Sequence, residues 1–119
     1  MTVTGDLEHP VVSFLQARKP VDICVSSLEV REHADRSFSG KLVWEVQTES
    51  GCIALDSIAY GQAPAGFRTI HAPESLKPGI VYEAFGRGAT TGMFGASAAG
   101  SALFTYHDGS WWEPTGTRP

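Results

Sequence analysis

Apolar and polar residues alternate with a period of two along most of this chain. The clearest stretch is Lys41 to Glu49, where Leu42, Trp44 and Val46 alternate with Val43, Glu45 and Gln47. That period predicts a half-buried strand with Trp44 as its central core ring. From Asp22 to Glu32, Cys24, Leu28 and Val30 share one face with Ser26 between them, and Ile23, Val25, Glu29 and Arg31 share the other. Val11 to Leu15 reads as a short first strand broken by Arg18-Lys19-Pro20, and Met1 to Pro10 as a loose leader. Cys52 to Tyr60 resumes the alternation but slips at Asp56-Ser57, which predicts a bulge. Phe67 to His71 is a further short strand. Ser101 to His107 puts Phe104 and Tyr106 on one face, Asp108-Gly109 is a hairpin turn, and Ser110 to Glu113 returns. Pro114 to Pro119 reads as a frayed tail. Short strands, frequent turn signals and the lack of a helical period predict an all-β, antiparallel β-sandwich of about seven strands.

Gly86 to Gly100, GRGATTGMFGASAAG, is the weak point of the pattern. Its glycines oppose both helix and strand, so it reads as a long hairpin loop or as two ragged strand ends.

Ser75 to Gly88 carries a more specific signal. Leu76-Lys77-Pro78-Gly79 is a polar turn leading into a strand with Ile80, Tyr82 and Ala84 on one face. Proline presets φ at such a bend, and glycine takes the positive φ after it. Leu-x-Pro-Gly-x-x-Tyr resembles a tyrosine corner, in which a buried ring returns its hydroxyl to the backbone of the turn as the chain changes sheets. In this it resembles the sixth strand of fibronectin type III and other immunoglobulin-like sandwiches. The centre of the chain also resembles small bacterial envelope proteins, often lipoproteins. The residues that carry it are Trp44-Glu45-Val46, Ile58-Ala59-Tyr60-Gly61, Pro64-Ala65-Gly66-Phe67, Leu76, Gly79 and Tyr82. The resemblance implies an immunoglobulin-like sandwich in the periplasm or on the cell envelope. No lipobox cysteine is present, and Cys24 sits in an unsuitable Val-Asp-Ile-Cys context, so a lipid anchor would belong to a segment missing from this chain.

The 119 residues suit one domain, 1–119. Charged residues make up 18% and the net charge is −4. A nucleic-acid binder would need a basic stripe for phosphates, so nucleic acid is excluded as a partner. No apolar run reaches the length of a membrane span. The start, MTVTGDLEHP, has neither a basic nor an apolar signal region. That fits a cytoplasmic protein, or an exported one whose signal was replaced by a start methionine. No asparagine occurs, which excludes N-linked glycosylation. Cys24 and Cys52 are the two cysteines. In an exported protein a bridge between them is favoured, closing a loop that contributes about 3–4 kcal/mol in the chain-entropy model.

Catalytic motifs fail on inspection. Gly86-Arg87-Gly88 follows a strand like a dinucleotide fingerprint, but Thr91 stands where the third glycine belongs. Gly95 to Ala99 lacks the closing glycine of a nucleophile elbow. His9, His33, His71 and His107 have no metal-pair spacing, and the carboxylates are scattered singly except Glu29 and Glu32. We therefore expect no catalytic residues, no metal and no cofactor. Recognition features remain. Met93 and Phe94 are apolar at the centre of the glycine-rich stretch, with Arg87, Thr90 and Thr91 as polar rim contacts; equally, Phe94 could fold back over the sandwich end. Of Trp111 and Trp112, adjacent on a strand, one indole faces out, to bind a partner or to cap a sheet edge. The expected function is a non-catalytic envelope module that binds another protein through end loops, using Arg87, Thr90, Met93, Phe94 and Trp112. The alternatives are an immunity protein or inhibitor of a toxic enzyme, and a carbohydrate-binding module using Trp111 or Trp112.

Overall fold

The computed structural model describes residues 2–13, 23–34, 40–90 and 97–114. Ten antiparallel strands are described: β1 Thr2–Gly5, β2 Pro10–Ser13, β3 Ile23–Glu32, β4 Leu42–Thr48, β5 Ile53–Ala54, β6 Ser57–Ala59, β7 Phe67–His71, β8 Val81–Thr90, β9 Ser97–His107 and β10 Ser110–Trp112. One sheet has the order β1-β2-β6. The other has seven strands, with the path β10-β9-β8-β3-β4-β7 and β5 also paired to β3. The two sheets share one core, which is consistent with a β-sandwich. Val12 and Ile58 come from the small sheet. Leu28, Val30, Trp44, Val46, Tyr82, Ala84 and Phe104 come from the large one.

Three sequence expectations change. The leader contains β1, whose residues pair with β2 from Thr2↔Ser13 to Gly5↔Pro10. Glu8-His9-Pro10 hid the turn: the His9 amide donates to Asp6 Oδ1 at 2.7 Å and folds the chain back. The slip at Asp56-Ser57 is a change of sheet, since β5 pairs with β3 and β6 pairs with β2. Of the two readings of Gly86 to Gly100, the long loop gives way to the two strand ends over its described residues. β8 continues to Thr90 and β9 begins at Ser97, with unbroken pairing from Val81↔Thr105 to Ala89↔Ser97. β8 lies between β3 and β9, so ladder bonds on both sides override the poor strand propensity of its glycines. Ser26 is an extra residue in β3, between Val25↔Gly88 and Ser27↔Arg87, and its hydroxyl donates to the Arg87 carbonyl at 3.2 Å. The bulge brings backbone close to backbone here: a Cβ on Gly88 would collide with the Cys24 carbonyl oxygen.

The hydroxyl bond of the tyrosine corner is present, but the chain does not change sheets there, because β7 and β8 both belong to the large sheet. Tyr82 is 1% exposed, and the Lys77 amide donates to its hydroxyl at 2.7 Å. Gly79 has φ 82° as the bend requires, and its amide donates to the Tyr106 carbonyl at 3.1 Å. Burial raises the Tyr82 hydroxyl above its ordinary pKa, so the ring stays neutral at physiological pH. Trp44 is fully buried, with the Tyr60 ring 4.9 Å away. Trp111 turns inward, packs edge-on against Phe104 and Tyr106, and donates from Nε1 to the Asp6 carbonyl at 3.3 Å. Cys24 and Cys52 form a disulfide with their Cα atoms 5.3 Å apart. It ties β3 to the chain just before β5.

Tyr82→Phe removes the acceptor for the Lys77 amide while keeping the ring. Urea unfolding should show a loss of about 1 kcal/mol with an unchanged m-value. A midpoint equal to wild type would show that the bond does not hold the turn. The double variant Cys24→Ser, Cys52→Ser should lose about 3–4 kcal/mol in the same assay, from the loop of 28 residues that the bridge closes.

Candidate partner-binding site

Of the described residues singled out for partner binding, Trp112 lies apart from Arg87 and Thr90. Arg87 lies on β8, exposed, with its guanidinium 5.2 Å from the centre of the half-buried Phe85 ring. Thr90 ends β8, and its backbone is in register with Ile23. Met93 and Phe94 lie outside the described residues. Trp112 belongs to the other end of the ribbon formed by β8 and β9. It pairs with Thr105, whereas Arg87 pairs with Ala99. The intervening length of β9 spans roughly 20 Å at about 3.3 Å per residue, so Trp112 and Arg87 form separate surfaces.

Trp112 is half-buried. Its ring stacks on His107 at 5.2 Å and its Nε1 donates to the His107 carbonyl at 2.8 Å. Beside it, Thr2, Val3, Leu103, Phe104, Trp111 and Glu113 help line a notch of about 110 Å³. Small-molecule sites generally enclose about 300–1,000 Å³, so the notch takes a single side chain more readily than a sugar ring.

A larger groove of about 460 Å³ lies among the connections between strands, lined by Leu7, Glu8, Tyr60, Pro73, Glu74 and Leu76. Its floor is already bonded. Burial pushes the Tyr60 hydroxyl well above its ordinary pKa, so it keeps its proton and donates to the Glu74 carbonyl at 2.7 Å. The Glu74 carboxylate accepts from Lys41 Nζ at 2.7 Å and lies 3.2 Å from His71 Nε2. Hydrogen bonding from Lys41, then from His71, holds this carboxyl below its ordinary pKa. Sequence reading missed this triad, because Lys41 comes from a segment remote from the other two. The spacing His71-x-x-Glu74 was its one local sign.

Each histidine sits beside a different carboxylate: His9 by Asp6, His33 by Glu83, His71 by Glu74 and His107 by Asp108. Glu83 is the buried charged residue, 4% exposed, on the face of the large sheet away from the core. Among the described residues no three His, Cys, Asp or Glu side chains group to hold a metal ion. No described helix is long and apolar enough to cross a membrane. These histidine–carboxylate contacts are scattered singly over the fold and are not gathered into one site. Comparison with protein-family models, with curated proteins and with solved structures gives no match.

Glu74→Gln tests the triad. A carboxyl with a depressed folded pKa contributes stability above its unfolded value and loses it as pH falls through the folded one. The stability gap between wild type and Glu74→Gln should therefore be open at neutral pH and close as pH falls below the ordinary value of 4.5. A gap that is constant with pH would remove the ionic contribution.

Proposed function

We propose that this chain is a non-catalytic protein-binding module with an immunoglobulin-like sandwich, working outside the cytoplasm. The observation that carries the reading is the β8–β9 ribbon. Its pairing runs unbroken to Ala89↔Ser97, and its far end lies against Cys24, which the disulfide anchors. A rigid ribbon of this kind presents residues at its end without the entropy loss of ordering a free loop on binding. Arg87, Thr90, Met93 and Phe94 belong to that end in sequence, and another protein is the partner it suits.

The immunoglobulin-like assignment draws support from strand order. In such sandwiches the tyrosine-corner strand lies between two partners of its own sheet. Here β8, with Tyr82, lies between β3 and β9, while β2 and β6 pair in the opposite layer. The disulfide departs from the usual inter-sheet bridge, since both its cysteines flank pairings of the large sheet. That bond points to an oxidising, extracytoplasmic compartment.

Pulldown from envelope extracts checks this reading. Wild type should recover a protein that is lost, at least tenfold, with Arg87→Glu and with the double variant Met93→Ser, Phe94→Ser, yet kept with Trp112→Ala. The reading fails if all four baits recover the same proteins.

A further inference from the structure

β9 has one unfinished edge. On one side it pairs with β8 over its length. On the other, β10 covers only Thr105 to His107. From Ser97 to Phe104, among the described residues, no strand pairs with that edge. A strand edge presents a row of N–H and C=O groups that template pairing with another chain.

The other edges carry the usual protections. β7 has the exposed Arg68 and an extra residue, Ile70, between Val46↔Thr69 and Glu45↔His71. β1 is 4 residues long and β10 is 3. β9 has neither safeguard. It is 11 residues long, its register with β8 has no bulge, and Ser97 to Tyr106 contains no charge and no proline.

We infer that this edge pairs with the same edge of a second copy, antiparallel, about a two-fold axis near Gly100. In such an interface Gly100 meets the other copy's Gly100 and Ser101 meets its Ala99, so a charged residue beside the axis would lie diagonally close to its like. The residues flanking the axis are Ala98, Ala99, Ser101 and Ala102, all small and neutral. The net charge of −4 is carried elsewhere on the chain. A foreign strand is less favoured, because these side chains offer no feature that would select one sequence over another. Seven paired residues, Ser97 to Leu103, span about 24 Å at about 3.4 Å per residue. Such a contact is at the small end of specific interfaces, so association is weak.

Sedimentation of the whole chain from about 1 to 300 µM, a range chosen to bracket a weak interface, reads this directly. Monomer should give way to dimer, with slowed amide exchange from Gly100 to Leu103 in the dimer. Ser101→Lys puts like charges about the axis and should weaken the dimer at least tenfold without changing the thermal midpoint; Ser101→Thr should leave it intact. If Lys disturbs the fold, Ser101→Glu replaces it. A monomer throughout would overturn the inference, whether its edge amides exchange freely or are protected by its own chain. So would a dimer indifferent to the charge at 101, or edge amides protected only on adding a foreign protein.

Discussion

The bond from the Lys77 amide to the buried Tyr82 hydroxyl fixes how β8 enters the large sheet. The chain leaves β6 in the small sheet, joins the edge of the large sheet as β7, and must then enter the middle of that sheet at one height and in one register. A ring that is 1% exposed and bonded through its only polar atom leaves little choice. Once Tyr82 is seated, β8 lies against β3 with Val30↔Ala84 and Leu28↔Gly86 facing the core. β9 then follows β8, and Phe104 reaches the Tyr82 ring at 5.8 Å. The register is set at one end and carried to the other, because a slip by one residue would exchange the two faces of every strand.

That logic explains why the ribbon can be made of glycine and alanine. Such residues bring little side-chain packing of their own. They remain extended because the register is imposed by the core and by a bulge at Ser26 that needs a residue without Cβ at Gly88. A surface built this way is flat and featureless along its length, and its chemical character is concentrated in the few side chains that interrupt it, such as Arg87.

Much of this was legible from residue order. The alternation about Trp44 identified β4 and its core ring, and Leu76 to Tyr82 identified the corner, because both depend on local patterns of period and turn chemistry. That one of Trp111 and Trp112 turns inward followed from simple strand geometry; that it is Trp111 did not. What escaped depended on partners distant in sequence. The strands inside Gly86 to Gly100 are stabilised by β3, which no local propensity reports. The change of sheet after Leu55 looks like a bulge until β2 is in place. The meeting of Lys41 with Glu74 and His71 rests on tertiary placement alone, whereas the bridge from Cys24 to Cys52, favoured from the sequence for an exported protein, is present.

The position of that bridge has a further meaning. It does not cross between the layers, where it would guard the interior against swelling. It sits instead at the far end of the ribbon, where β3, β5 and β8 come together at Cys24. A reducing environment would therefore release the chain at Cys24 first, where three strands meet, while the aromatic core, which the bridge does not touch, stays packed; on the reading proposed above, the surface offered to a partner would loosen before the molecule unfolds.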